Sequence, residues 1–191
     1  LDDGMPHFDF IMFDACFMMS VEVAYEVRNY TDYYIGSPTE NPGPGAPYDK
    51  VVPYMFKPGA AAQMAEAYFN HYKDNYKAGE GISNANWTGG TSICAVRTDA
   101  LDDLADVTGQ LLERADNESV PSFNTVFDYD KRDMEEGHVG YYDFSQMMEM
   151  RLDADAYVAW KNVFDASIVY WNTTDKNYSM FKRMFSMEGT D

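Results

Sequence analysis

The sequence has 191 residues, of which 46% are hydrophobic and 16% aromatic, and its 32 acidic and 14 basic residues give a formal net charge of −18. This composition predicts one sizeable folded domain and argues against a disordered chain. The acidic balance argues against a nucleic-acid partner, which needs a basic surface, and no apolar run is long enough to span a membrane.

Strands and helices alternate along the predicted chain. Apolar runs predict strands at 8–13, 32–37, 91–97 and 166–171, and helical spacing predicts helices at 20–29, 60–77, 99–116, 143–151 and 153–166. The segment 117–142 is less regular and acidic, and the tail after Asn172 shows no clear pattern. This order predicts a mainly parallel α/β sheet flanked by helices, with 1–116 as its main part and 117–191 as an extension packed on it.

The stretch FDFIMFDACFMMSVEVAYE, residues 8–26, places Cys16 at the end of an apolar strand and just before a helix. Free cysteines are often inert core residues, and the strand-like run around Cys94 favours that interpretation for Cys94. For Cys16, packing alone does not explain the acid Asp14 two residues earlier at the same strand end. The pattern therefore makes Cys16 a candidate nucleophile, and nothing favours a disulfide between the two cysteines.

Several segments of this chain together resemble the clostripain-like cysteine peptidases, family C11 of the caspase-like clan CD. They are residues 8–26, the helix SVEVAYEVR, the strand YYIGS, the loop SPTENPGPGAPYD, and the segments TSICAVRTDALDDLAD and YYDFSQMM. The similarity is strong over residues 8–50 and looser to about residue 170. One departure is Phe17-Met18-Met19, where Leu-Met-Gly is more usual. The resemblance implies a caspase-like fold, of which this chain is the C-terminal, nucleophile-bearing part.

The resemblance also implies roles for individual residues. Cys16 is the expected nucleophile and its backbone N–H an oxyanion donor, while Asp14 lies at the floor of a pocket for a P1 Arg or Lys. The loop 37–49 is expected to form one wall of this pocket. Its candidates are Glu40 as a second carboxylate, Asp49 as a weaker one, and Ser37 and Thr39 through backbone groups. The alternative is a surface loop stiffened by proline.

A cysteine nucleophile needs a base, and none of the three histidines fits the His-Gly turn that supplies it in the resembling family. His7 enters the strand that delivers the nucleophile, His71 lies in a predicted helix, and His138 lies in an acidic loop. The chain opens without a signal peptide and reaches a core strand within eight residues. We therefore expect an upstream light chain, separated by proteolytic maturation, to carry the histidine and to remain associated.

The sequence offers no clear metal or cofactor site. Residues 128–136 are acidic, but they fail the EF-hand template, because Asp133 occupies the glycine position and Val139 the final glutamate position. No cofactor is expected to be required. Calcium remains open through the resemblance alone, without assignable ligands.

The resemblance thus implies a cysteine endopeptidase that cleaves polypeptide substrates after Arg or Lys, and the sequence itself shows no transmembrane segment. The resemblance further implies a secreted, periplasmic or surface enzyme of a bacterium. Two alternatives are a catalytically inactive module that binds basic peptides through Asp14, and a hydrolase that uses Cys16 on a non-peptide amide.

Overall fold

The computed structural model describes residue 4 and residues 6–115, 125–131 and 138–190 of the chain. In these ranges the strands are β1 (Ile11–Met12), β2 (Tyr33–Gly36), β3 (Ser92–Arg97), β4 (Ile168–Thr173), β5 (Lys176–Ser179) and β6 (Arg183–Ser186). The α-helices are α1 (Val21–Val27), α2 (Tyr48–Val51), α3 (Ala60–Asp74), α4 (Leu101–Arg114), α5 (Phe144–Arg151) and α6 (Ala154–Ser167). The predicted order is confirmed, with the addition of the short α2 and of β5 and β6.

The strand β1 is shorter than the predicted strand at 8–13. Phe8 forms an isolated bridge with Thr31, while β1 itself covers two residues. The N–H of Phe13 then donates to the carbonyl of Ile35 at 3.0 Å. The whole run therefore follows β2, although only its centre has regular strand geometry.

The main sheet has the strand order β1-β2-β3-β4. The strands β1 and β2 are parallel, whereas β3 is antiparallel to β2 and β4 is antiparallel to β3. The α/β class and the helix-flanked sheet are confirmed. The expected strand direction is corrected, since only one of these three pairings is parallel.

The reversal at β3 follows from the place where the preceding helix ends. Tyr72, near the end of α3, donates its hydroxyl hydrogen to the carbonyl of Gly45 in the loop after β2. The hydroxyl of Ser92, at the start of β3, lies 3.2 Å from that of Ser37, just after β2. Because α3 returns the chain to the edge where β2 ended, β3 runs in the opposite direction. Hydrophobic periodicity identifies strands but does not encode such a return.

Side chains alternate between the two faces of the sheet, and each face carries its own helices. The face toward α2 and α3 buries Ile35, Ile93, Ala95, Met64, Tyr68 and Tyr72. The face toward α1, α4 and α6 buries Tyr34, Cys94, Val96, Leu104 and Trp160. The result is a three-layer arrangement with an apolar cluster on each side of the sheet.

The hairpin β5–β6 forms a separate two-stranded sheet. The sequence did not reveal it, because its buried side chains Asn177 and Ser179 are polar and interrupt the hydrophobic alternation of a strand. Asn177 accepts a hydrogen bond from the Thr174 hydroxyl at 2.8 Å and donates one to the Thr39 hydroxyl at 3.4 Å. Polar contacts therefore tie the hairpin to the loop after β2.

The predicted division of the chain at residues 116 and 117 lies outside the described residues. On either side of it, α4 packs against α6, and β4 pairs with β3. The C-terminal part thus supplies a strand of the main sheet. Within the described ranges, no helix has both the length and the apolar character that crossing a membrane requires.

Candidate active site

The chain leaves the main sheet at the carboxyl end of β1 in a turn, residues 14–19, which leads into α1. Cys16 is exposed in this turn. The next residue, Phe17, has a φ of 59°, a left-handed conformation that is uncommon for residues other than glycine. Ser20 then caps α1 by accepting a hydrogen bond from the Val23 N–H at 3.3 Å. The expected position of the thiol between a strand end and a helix start is confirmed.

Ser37 and Thr39 hold this turn from the end of β2. The carbonyl of Thr39 accepts a hydrogen bond from the Phe17 N–H at 3.1 Å, and that of Ser37 accepts one from the Met19 N–H at 3.0 Å. Both side chains are fully buried, and their hydroxyls cluster with that of Ser92 at 2.7 to 3.2 Å. The side chain of Ser37 is therefore internal and its carbonyl supports the turn, while its expected backbone contact with a substrate stays a prediction.

Asn41 connects the thiol to the carboxylate of Asp14. Its backbone N–H donates to the Sγ of Cys16 at 3.2 Å, and its side-chain Nδ2 donates to the Oδ1 of Asp14 at 3.2 Å. A donated N–H stabilises negative charge on sulfur, and the thiolate is the nucleophilic form of cysteine. Sequence reasoning missed Asn41, because the local pattern around the thiol carries no sign of a residue 25 positions away.

The loop after β2 wraps around the carboxylate of Asp14. The Oδ2 atom accepts hydrogen bonds from the Ala46 N–H at 2.9 Å and from the Tyr48 hydroxyl at 3.1 Å. Gly45 has a φ of 78°, and a Cβ at this position would lie 3.0 Å from the Oδ2 of Asp14, so glycine alone fits without a shift. Asp14 nevertheless remains exposed, and its carboxylate is therefore fixed in direction while accessible to a ligand.

Three tyrosines lie around this carboxylate and remain neutral. The hydrogen bond to Asp14 raises the pKa of Tyr48. Burial, helped by the charge of Asp14, raises the pKa of Tyr72 to about 12. Burial also raises the pKa of Tyr68 well above its ordinary value, and neighbouring Tyr72 adds to the effect. Tyr68 and Tyr72 lie within the helix that the sequence predicted at 60–77, but the sequence did not reveal their position behind the site.

The other carboxylates expected at the pocket have different partners. Glu40 accepts hydrogen bonds from the Ser179 hydroxyl at 2.7 Å and from the Met180 N–H at 3.0 Å. Both of its oxygens therefore hold the β5–β6 turn, and its role as a second pocket carboxylate stays a prediction. Asp49 lies 2.9 Å from the ammonium of Lys50, which lowers the pKa of the carboxyl. Among these predicted carboxylates, Asp14 is the one bound to Asn41, which also contacts the thiol.

None of the three histidines serves the thiol in the described part of the chain. The Nε2 of His7 lies 3.8 Å from Asp32, which precedes β2 at the opposite end of the sheet. His71 is exposed on α3. The Nε2 of His138 lies 2.8 Å from the Oδ2 of Asp128, in a nearly buried position. The expectation that a base must come from elsewhere is consistent with these positions.

Away from the thiol, the described residues contain a cavity but no cluster of metal ligands. Within the described ranges, no group of three or more His, Cys, Asp or Glu side chains is arranged to hold a metal ion. The acidic segment considered for calcium lies outside those ranges from residue 132 to 137. A cavity of about 610 Å³ lies on the face of the sheet that carries α1, α4 and α6, and neither Cys16 nor Asp14 lines it.

Comparison with known proteins yields consistent matches. The Clostripain family model matches residues 1–189. The solved structure of a B. fragilis cysteine protease is 39% identical with a TM-score of 0.87, over 96% of this chain and 75% of that one. A secreted C11 cysteine protease from Bacteroides thetaiotaomicron, in complex with an irreversible peptide inhibitor, is also 39% identical, with a TM-score of 0.85 over 97% and 51%. No curated protein matches this sequence.

A third match is an inactive zymogen C11 protease from Parabacteroides distasonis, 27% identical with a TM-score of 0.77 over 97% of this chain and 51% of that one. This chain therefore spans three quarters of the first of these structures and about half of the other two. The family model covers the whole turn with Cys16 and the whole loop around Asp14. The chain belongs to the clostripain family of cysteine peptidases, with the caspase-like α/β fold of its C11 relatives.

Proposed function

We propose that this chain is the nucleophile-bearing part of a cysteine endopeptidase that cleaves peptide bonds after Arg or Lys. The observation that carries the proposal is the pairing of an exposed thiol with an exposed carboxylate, Cys16 with Asp14, through the single residue Asn41. An accessible thiol beside a fixed negative charge suits a substrate with a cationic side chain next to its scissile bond.

The chemistry begins when the Cys16 thiolate attacks the carbonyl carbon of the scissile bond and forms a tetrahedral oxyanion. The Cys16 backbone N–H and a second N–H beside the base hold this oxyanion. When the oxyanion collapses, the C–N bond breaks and a thioester remains. The leaving amine takes the proton that the histidine base had received from the Cys16 thiol. Water, deprotonated by the same imidazole, hydrolyses the thioester and restores the thiol.

Asp14 binds the P1 cation in this proposal. Three hydrogen bonds from Asn41, Ala46 and Tyr48 fix the carboxylate before substrate arrives, which lowers the entropy lost on binding. A guanidinium can engage such a carboxylate through two parallel N–H donors, and an ammonium through one. The formal charge of −18 also attracts cationic substrates at low ionic strength.

The base is supplied by a histidine on a segment outside this chain, which stays associated with it after maturation. Two observations support this part of the proposal. The matched relatives are longer than this chain, and one of them is named as an inactive zymogen. This mechanism requires no cofactor. We also propose that the enzyme is exported from a bacterial cell, since one of the matched relatives is named as a secreted protease.

The test is cleavage of fluorogenic peptides with Arg, Lys, Asp or Ala at P1 by the full-length protein, with Cys16→Ala as the control. We expect cleavage after Arg and Lys alone, and its complete loss in Cys16→Ala, because alanine lacks the nucleophile and keeps the small apolar volume. A chelator arm determines whether calcium contributes.

A different result would favour the second candidate, an inactive module that binds basic peptides. The absence of any histidine among the hydrogen-bond partners of Cys16, within the described residues, is the observation in its favour. Folded, reduced full-length protein that binds Arg peptides without cutting them would establish that alternative. Cleavage after Asp or Ala at similar rates would overturn the role of Asp14.

A further inference from the structure

The residue after the candidate nucleophile is held in a costly backbone conformation. Phe17 has a φ of 59°, and the left-handed region costs about 1–2 kcal/mol for a residue with a Cβ. Such a conformation persists only where the surrounding structure holds it. The contacts of Phe17 therefore bear on where Cys16 points.

One side of the turn is held by the backbone at the end of β2. Thr39 and Ser37 accept hydrogen bonds from the N–H groups of Phe17 and Met19. The hydroxyl of Tyr34, from β2 itself, donates to the carbonyl of Met18. These contacts fix the second half of the turn, residues 17–19, to the sheet.

The ring of Phe17 is held from the other side by Tyr141. Their centroids lie 4.9 Å apart and their planes make an angle of 26°, which is a stacked geometry. Tyr141 comes from the segment just before α5, far along the chain from the turn. Aromatic pairs of this kind contribute about 0.5–1.5 kcal/mol beyond their buried area, which is comparable with the cost of the left-handed residue.

Tyr141 is itself anchored at its backbone. Its N–H donates to the Oδ1 of Asp128 at 3.1 Å, and its carbonyl accepts from the Tyr129 N–H at 2.7 Å. The second carboxylate oxygen of Asp128 lies 2.8 Å from His138, and the Oδ2 of Asp130 accepts from the Val139 N–H at 3.2 Å. These contacts fix the backbone of the segment and thereby the position of the Tyr141 ring.

We propose that Tyr141 is a positioning residue for Cys16, acting through its stack on Phe17; this rests on the proposed function. Without the ring, residue 17 relaxes toward negative φ. Because Met18 and Met19 stay tied to β2, the peptide unit between residues 16 and 17 moves, and the sulfur of Cys16 leaves the N–H of Asn41. Ala46 and Tyr48 hold the Asp14 carboxylate without contacting the thiol, so ground-state binding of the P1 cation persists.

The experiment compares Tyr141→Ala, Tyr141→Leu and Tyr141→Phe in the full-length protein. We expect kcat to fall about tenfold or more in the alanine and leucine variants, since small misplacements of reacting groups cost up to about 100-fold. KM should stay within about threefold because the Asp14 contacts remain. Tyr141→Phe keeps the stack and should keep kcat. Equal kcat in all variants, or a loss confined to KM, would overturn the proposal.

Two further arms separate positioning from general loosening. Tyr142→Ala removes the neighbouring aromatic ring, which lacks the stack on Phe17, and an equal fall in kcat there would contradict the proposal. In a Phe17→Gly background, where the left-handed conformation costs little, Tyr141→Ala should have a much smaller effect. Full additivity of the two substitutions would also overturn it.

The rate at which iodoacetamide alkylates Cys16 distinguishes failure of this proposal from failure of the proposed function. This rate needs no peptidase activity. We expect it to fall several-fold in Tyr141→Ala, because the sulfur moves away from its exposed position beside the N–H of Asn41. A protein that cuts no peptide but shows this change would retain the positioning role, and an unchanged rate in a folded variant would refute it.

Discussion

The two cysteines of this chain occupy opposite kinds of position in the same sheet. Cys16 lies beyond the end of β1, the edge strand, where the chain turns out to solvent and an N–H reaches the sulfur. Cys94 lies inside β3, between β2 and β4, where burial raises the pKa of the thiol to about 12. The comparison shows that the strand end gives a cysteine exposure and a donated N–H, whereas the same side chain within a central strand is a small core residue.

The largest expected difference between the two is in alkylation. At about pH 7.5 we expect iodoacetamide to modify Cys16 at least a thousandfold faster than Cys94, because a thiol with a pKa of about 12 is almost entirely protonated there. Peptide mass analysis after timed quenching measures both rates. Comparable labelling of the two sites in folded protein would remove the basis of the comparison.

The next effect concerns Asp14, the carboxylate beside the exposed thiol. Asp14→Asn should lower kcat/KM for Arg and Lys peptides about 100-fold or more, since removing one partner of a close charge pair costs about 2–5 kcal/mol. Steady-state kinetics on the P1 panel measures the change. The matched control is Glu40→Gln, because Glu40 binds the hairpin. We expect the kcat/KM of that variant to stay within about twofold of the parent value. A large loss in Glu40→Gln without one in Asp14→Asn would mean that Glu40, and not Asp14, binds the P1 cation.

A smaller effect is the pH dependence that Cys94 imposes on stability. Its folded pKa of about 12 lies above the ordinary value of 9.0, so ionisation favours the unfolded chain. Stability is therefore lost as pH rises above about 9, by about 2 kcal/mol at pH 10.5. Urea unfolding at several pH values should show a shallower decline for Cys94→Ala. The tyrosines whose pKa values are raised are present in both the parent protein and the variant. Parallel declines of stability in the two would therefore mean that burial does not hinder the ionisation of Cys94.

The smallest predicted effect concerns the support behind the site. Glu40→Gln should lower the free energy of unfolding by about 1 kcal/mol, because hydrogen bonds to a charged acceptor at Ser179 and Met180 become neutral ones. Chemical denaturation measures the free energy of unfolding of this variant, which is compared with that of Asp14→Asn. A fall in peptidase activity without loss of stability would contradict the hairpin role.

The parts of the site that the sequence predicted are those built by neighbours along the chain. Cys16 and Asp14 share one strand end, and Ser20 begins the helix that follows. Asn41 and Tyr48 were missed as partners because loop geometry brings them back over 25 and 34 positions, which no periodic pattern encodes.

The fold follows the same rule. Apolar alternation identified β3 within a residue of its bounds, whereas β5 escaped detection because its buried positions hold Asn177 and Ser179. The direction of β3 depends on the path of α3, and hydrophobic spacing contains no information about that path. The sequence thus predicted elements and residues that are close along the chain, but it did not predict which distant segments lie together.

The contacts between the loop after β2 and the hairpin have a consequence for how the protein is made. Glu40 binds Met180, 140 residues later, and Thr39 binds Asn177, 138 residues later. At about 5–20 residues per second, a ribosome takes roughly 7 to 28 s to synthesise the intervening stretch. The turn with Cys16 therefore leaves the ribosome well before the hairpin that holds the loop beside it. The loop that carries Asn41 therefore gains its contacts with the hairpin only after most of this chain has been synthesised.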